Sequence, residues 1–199
     1  MWRVFEVLGP LELESVVHPL GYAKIDFESG QDNQYKNGEY LIFPRVDHSY
    51  LKPFPVDHYD SFIKLLIKTV KEIHTKNVVH MDLYPSNLMI RYTSKVELRI
   101  IDWDVATFVG ESFTDQMEER LSKSSLGSYY YKRNGSAEFK CDSWFVFVLA
   151  SLNKEEIVRF CKEPDDRPKV FQDAVRRLYE KHEQELKNEV LDAWIEAHW

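Results

Sequence analysis

An α+β fold, with a mostly helical C-terminal part behind a small N-terminal β portion, is predicted for this 199-residue sequence by three patterns. Phe62, Leu65, Leu66, Val70 and Ile73 recur at i, i+3, i+4, i+8 and i+11, an apolar stripe opposite Lys64, Lys68, Lys71 and Glu72, which is the period of an amphipathic core helix. Two short β-type runs, Leu88-Met89-Ile90 and Val96 to Ile101, flank Thr93-Ser94-Lys95 and read as a hairpin. From Cys141 onward the apolar residues again recur at helical spacing.

Composition bounds the possibilities. With 44% hydrophobic and 30% charged residues the chain is globular and can bury a core, and its length suits one domain or a domain and a fraction. A net charge of -7 argues against a nucleic-acid partner, which needs clustered Lys and Arg. Cys141 and Cys161 are too few for a disulfide framework or a metal quartet, so a reducing compartment is expected. MWRVFEVLGP has no long apolar run, and the longest such run, Trp144 to Ala150, is too short to span a bilayer. The expectation is a soluble, cytoplasmic chain with no membrane partner. Asn134-Gly135-Ser136 matches a glycosylation sequon but reads as an Asn-Gly turn.

The elements follow in order. Residues 1 to 17 alternate apolar and acidic side chains around Gly9-Pro10, and a short helix is expected over Leu11 to Val17. His18-Pro19 introduces a strand, Tyr22 to Phe27. A polar loop, Glu28 to Gly38, leads to a second strand, Tyr40 to Val46, as in a hairpin. Beyond Pro53 and Pro55, Asp57 is placed to cap a helix running to about Lys76. Residues 110 to 140 lose regularity and carry the cluster Tyr129-Tyr130-Tyr131. Cys141-Asp142-Ser143-Trp144 opens an apolar helix to about Leu152, and Asn153 to Glu163 is another. Asp166-Arg167-Pro168 starts the last, with Pro in its first turn and Phe171, Val175, Leu178, Leu186, Val190, Leu191 and Trp194 toward a core.

The chemistry gathers between Val79 and Asp104, where His80, Asp82, Asn87, Asp102 and Asp104 flank the hairpin. A lone loop Asp is usually a turn or cap residue, and a lone His is usually structural. Here the hairpin folds the loop before it toward the loop after it, so Asp82, Asn87 and Asp102 are expected to converge.

His80-Met81-Asp82-Leu83-Tyr84-Pro85-Ser86-Asn87 resembles the catalytic loop of protein kinases, H-R-D-L-x-x-x-N, and Asp102-Trp103-Asp104 stands where that family has D-F-G. The resemblance implies a protein kinase-like fold whose C-lobe is mostly α-helical. It makes Asp82 the base that accepts the proton of a substrate hydroxyl, and it puts Asn87 and Asp102 on the Mg²⁺ that bridges the phosphates of ATP. His18-Pro19 resembles the H-P-N that follows the regulatory helix, and Glu39 to Val46 the strand leading into the hinge, so backbone groups of Pro44, Arg45 and Val46 would face adenine. Cys141-Asp142-Ser143-Trp144 resembles D-x-W-S, in which the Asp braces the catalytic loop. An N-cap is the plainer role for that residue, and the two are compatible. His80 and Asp142 are thus structural.

The departures from the family matter as much. No G-x-G-x-x-G and no V-A-I-K precede the hinge-like strand, so residues 1-52 read as a reduced N-lobe remnant and 53-199 as a C-lobe. Lys24 is a candidate phosphate ligand set against a solvated strand lysine, and Glu12 and Glu14 are the nearest stand-ins for the helix glutamate. Met81 replaces the Arg that pairs with a phosphorylated activation loop. Asp104 replaces the D-F-G glycine and adds a carboxylate that suits Mg²⁺. Leu126-Gly127-Ser128 precedes the tyrosines as in an activation segment, but no A-P-E follows. Losing two phosphate-binding elements costs about 10⁴ in rate unless something substitutes.

The reading is a kinase-like phosphotransferase using ATP and Mg²⁺ on a protein hydroxyl. A catalytically impaired pseudokinase acting as a protein-binding module is the alternative. The partners expected are a nucleotide and a protein, either a substrate or one that completes the missing N-lobe. A hydrolase with a transition metal on His80, Asp82, Asp102 and Asp104 is a third reading.

Overall fold

The computed structural model describes residues 2–11, 13–25, 38–112, 136–182 and 189–199. It begins with a helix, α1 (Trp2–Leu8), closed by a 3-10 turn, Gly9–Leu11. The helix expected over Leu11 to Val17 therefore lies earlier in the chain. Val4, Phe5 and Leu8 are its buried face. Gly9-Pro10 ends the helix where the sequence suggested a start. Past it, Val16 bridges in parallel to Ile100, and Ile100 N–H donates to Ser15 O at 2.7 Å. Val17 N–H in turn reaches Ile100 O at 3.5 Å, so Ser15 and Val17 satisfy backbone groups along a strand edge.

β1 (Gly21–Ile25) and β2 (Gly38–Ile42) pair antiparallel, Gly21 opposite Ile42 and Ile25 opposite Gly38. The second strand stops at Ile42, short of the expected Val46, and Pro44 has no N–H to extend a ladder. Phe27 and residues 28–37 lie outside the described residues. Asp47 then caps a 3-10 turn, His48–Leu51, accepting Ser49 N–H at 2.6 Å.

α2 (Tyr59–His74) is the predicted amphipathic helix, with Phe62, Leu66, Val70 and Ile73 fully buried. Asp57 does not cap it. The residue sits in a preceding 3-10 turn, Val56–His58, and the N-cap position is His58. The helix is followed by Asn77 at φ 56, a left-handed conformation that Asn tolerates.

β3 (Val78–Val79) pairs with β6 (Thr107–Phe108), and between them β4 (Leu88–Tyr92) pairs with β5 (Val96–Ile100) in the predicted hairpin. The β3–β6 pairing closes the base of the whole 80–106 excursion. The hairpin folds its middle, so the loops before β4 and after β5 lie side by side.

α3 (Phe139–Ala150) is buried on all sides from Cys141 to Leu149, which marks a central core helix. α4 (Lys154–Lys162) starts in a capping box, Asn153 with Glu156. α5 (Arg167–His182) begins where Asp166-Arg167-Pro168 predicted, and α6 (Glu189–His198) completes the described helices, with Leu186 outside the described residues. One core cluster runs from Val4, Phe5 and Leu8 through α2 and the hairpin to Phe171 and Leu191. Among the described residues no helix is long and apolar enough to cross a membrane.

Candidate functional site

His80 begins the site, and it is completely buried. Its Nε2–H donates to Ile101 O at 3.1 Å, while Nδ1 accepts the Asp82 N–H at 3.3 Å. A carbonyl can only accept and an amide can only donate, so the pair defines a neutral ring protonated on Nε2. Burial holds its pKa below the usual histidine value, in the same direction. The ring meets Trp103 edge-on, centroids 4.5 Å apart. One imidazole therefore ties the loop before β4 to the segment after β5.

Asp142 supplies the second tie. Its Oδ2 accepts His80 N–H at 2.9 Å and His74 Nε2–H at 3.0 Å, and its Oδ1 accepts Met81 N–H at 2.8 Å. The residue lies inside the first turn of α3, whose N-cap position is Glu138, so it is not the cap of its own helix. Met81 is held at φ 72, a conformation costing on the order of 1 kcal/mol for a residue with a side chain. Two anchored amides offset that cost. The Met81 side chain is buried with Val79, Val105, Ala137 and Cys141, an apolar nest in which a guanidinium would be costly.

Asn87 closes the loop. Its Nδ2 donates to both the main-chain O and Oδ2 of Asp82, each at 2.9 Å. The Pro85–Asn87 turn aims it, with Asn87 N–H on Tyr84 O at 2.8 Å. Tyr84 fixes the turn to α5, its hydroxyl donating to Pro168 O at 3.1 Å and accepting from Gln172 Nε2 at 2.8 Å. Asn87 is nearly buried and Asp82 half-buried. Asp82 and Asn87 are thus in direct contact.

Asp102 comes alongside through its neighbour, because Ile101 N–H donates to Asn87 O at 3.0 Å and Ile101 O accepts the hydrogen bond from His80 Nε2–H. Asp102 itself stands at φ 57 and is exposed, as is Asp104. Trp103 between them is buried, Nε1–H on Ile100 O at 3.1 Å, so the indole turns inward where both acids turn outward. Asn87 and the exposed acids offer hard oxygen donors, which fit a Mg²⁺ that keeps several waters. His80 has no free nitrogen, so the transition-metal reading loses its imidazole ligand. Among the described residues no three His, Cys, Asp or Glu side chains gather to hold a metal.

Pro44, Arg45 and Val46 line a cavity of about 530 Å³ together with Leu13, Val17, His18, Tyr50 and Arg99. None of Asp82, Asn87 and Asp102 lines it. Lys24 is exposed on β1, opposite Glu39 in the register. Glu14 is exposed and its carbonyl accepts from Arg99, while Glu12 lies outside the described residues, as do Leu126-Gly127-Ser128 and Tyr129-Tyr130-Tyr131. The sequence reading overlooked His74, buried on α2 against Asp142. Its signal was a polar residue next to Ile73, four after Val70, on the buried stripe.

Comparison with known proteins adds to this geometry. The protein kinase domain family matches residues 33–170. Mitogen-activated protein kinase 2 of Oryza sativa subsp. japonica is 34% identical over 89 residues, covering 42% of this chain and 22% of that protein. Cyclin-dependent kinase C-2 of Arabidopsis thaliana is 26% identical over 132 residues, covering 60% and 25%. The chain therefore spans a quarter or less of the length of these relatives. Among solved structures, the Cydia pomonella granulovirus kinase PK-1 aligns at TM-score 0.51 and 17% identity over 75% of this chain and 54% of that one, a likeness of fold.

Proposed function

The chain belongs to the protein kinase domain family, and from that premise we propose that it is a phosphotransferase that moves the terminal phosphoryl group of ATP to a protein hydroxyl. Mg·ATP supplies the phosphoryl group and the charge neutralisation. Asp82 accepts the hydroxyl proton, and Asn87 and Asp102 hold Mg²⁺ with Asp104 beside them. Pro44, Arg45 and Val46 form the hinge wall, and Lys24 is the cation of the N-terminal strands. Residues 1-52 act as a reduced N-lobe and 53-199 as the C-lobe.

The observation that carries the proposal is the pair of hydrogen bonds from Asn87 Nδ2 to Asp82, one to its main-chain O and one to Oδ2, each at 2.9 Å. The bond to Oδ2 fixes the carboxylate against rotation. Positioning of that kind is most of what a protein contributes to phosphoryl transfer. The test is transfer of labelled phosphate from ATP with Mg²⁺ or Mn²⁺ to the chain itself or to generic protein substrates. Label that vanishes in Asp82→Asn supports the proposal. Absence of label from wild type and variant alike overturns it.

The second reading, a protein-binding module of impaired activity, draws on the β1–β2 pair. Two strands alone are marginal in water, and this pair exposes Ile42, with Leu20 bonded beside it at 2.6 Å and Phe43 next in sequence. A partner that extends this pair would complete the N-lobe. Thermal stabilisation by Mg·ATP favours the enzyme, and indifference to nucleotide with stabilisation by a partner favours the module.

A further inference from the structure

The unexplained feature of the core lies behind the catalytic-type loop, at His74 and Trp199. His74 Nε2–H is committed to Asp142, and Asp142 also accepts the His80 and Met81 amides, so this carboxylate takes three donors and gives none. His74 Nδ1 is buried without a hydrogen-bond partner. So is Nε1 of Trp199, the residue following α6, and the two rings lie 5.7 Å apart between centroids. Phe139 stacks on the imidazole at 4.4 Å and offers no polar atom.

Donor and acceptor accounting decides the state of the pair. An indole nitrogen can only donate. Were His74 doubly protonated, two buried donors would face each other with no acceptor, each costing about 1–3 kcal/mol. With Nδ1 unprotonated, one buried acceptor stands beside one buried donor. Each then removes the deficit of the other.

We propose that Trp199 is a positioning residue for the 80–82 loop: its indole N–H donates to His74 Nδ1, directly after a small ring rotation or through one water. That bond holds the imidazole in the Nε2–H form that serves Asp142. The chain of contacts runs from Trp199 to His74, to Asp142, to the amides of His80 and Met81, and ends one residue before Asp82. It couples the C-terminal helix to the placement of the loop, and it does so whether or not the loop transfers phosphate. Failure of the phosphotransfer assay therefore leaves it standing.

The test is nuclear magnetic resonance on the full chain. In the wild type the Trp199 indole proton is expected to exchange with solvent roughly fivefold or more slower than in His74→Phe, the protection of one ordinary hydrogen bond. The His74 Nδ1 ¹⁵N resonance is expected at an accepting, unprotonated position, and Trp199→Phe, which keeps the packing and removes the donor, is expected to move it. In the same variant the His80 and Met81 amides exchange faster, while the Ile90 amide in the β4–β5 hairpin is unchanged. That pattern separates a positioning role from a general loss of stability. An unprotected wild-type indole proton, or a His74 Nδ1 resonance and loop amides identical in Trp199→Phe, overturns the proposal. Should Trp199→Phe fail to fold, the wild-type indole exchange and Nδ1 resonance decide alone.

Discussion

Asp142 Oδ1 accepts the Met81 amide at 2.8 Å, so a carboxylate in the buried core helix α3 fixes the backbone of a residue in left-handed conformation. Its other oxygen holds His80 and His74. Asp142→Ala leaves these donors buried and unpaired. A loss of about 3 kcal/mol or more in unfolding free energy is expected, since each buried donor left unpaired costs about 1–3 kcal/mol. Asp142→Asn keeps one carbonyl oxygen and presents an NH₂ to the other donors, so it is expected to lose nearly as much. Urea denaturation of the variants measures both. Losses under 1 kcal/mol would mean that the loop keeps its shape without the clamp.

Asn87 joins the two halves of the site, since its amide holds Asp82 and its carbonyl takes the Ile101 N–H that leads to Asp102. Asn87→Ala removes only the side-chain bonds, so its stability cost is expected near 1–2 kcal/mol. The larger effect falls on Mg·ATP. The wild type is expected to gain thermal stability with Mg·ATP, and Asn87→Ala and Asp102→Ala to lose that gain at the same nucleotide concentration. An undiminished shift in both variants would show that neither side chain holds the Mg²⁺ of the bound nucleotide.

These contacts show how far the sequence could be read. The hairpin and the α2 stripe were legible because each is a local pattern, two apolar β-type runs around a three-residue turn and an apolar stripe of period 3.6, uninterrupted by Gly or Pro. Asp82 and Asn87 were legible because a short turn, Pro85–Asn87, sets their spacing. The helix at Trp2–Leu8 was misplaced because Gly9-Pro10 can start a helix or end one, and long-range packing of Phe5 on Phe43 and Trp103 decides which. His74 escaped notice because its partner is 68 residues away, and no local pattern records such a distance.

Burial of His80 makes stability depend on pH. Its pKa in the folded protein lies below the ordinary value of 6.5, chiefly through desolvation, so beneath that value the unfolded chain binds the extra proton more readily. The contribution is therefore complete above pH 6.5 and is lost as pH falls from 6.5 through the folded pKa. His80→Gln, which can still donate to Ile101 O, is expected to flatten the fall in stability between neutral and mildly acidic pH. Because burial lowers the His18 pKa as well, the slope is reduced and not abolished. An unchanged slope in denaturation across that range would show that the imidazole takes up its proton as readily in the fold as in the unfolded chain.

Arg167 carries a different kind of burial. The residue is 3% exposed, and its guanidinium donates from Nε to Phe160 O at 3.0 Å and from Nη2 to Lys52 O at 3.3 Å and lies over the rings of Phe54 and Phe160 at 5.6 and 5.4 Å. No carboxylate bonds it among the described contacts, and burial pushes its pKa down to about 10, still charged at neutral pH. The fork joins the end of α4 to the segment entering α2, which one ammonium cannot span. Arg167→Lys keeps the desolvated charge and loses one of the two carbonyl bonds, so it is expected to cost about 2–3 kcal/mol. Arg167→Met strands the carbonyls but removes the charge and fills the space with apolar atoms, so about 1–2 kcal/mol is expected. The order is the decisive reading. If urea denaturation finds lysine better tolerated than methionine, the positive charge itself, and not the planar fork, is what this part of the core requires.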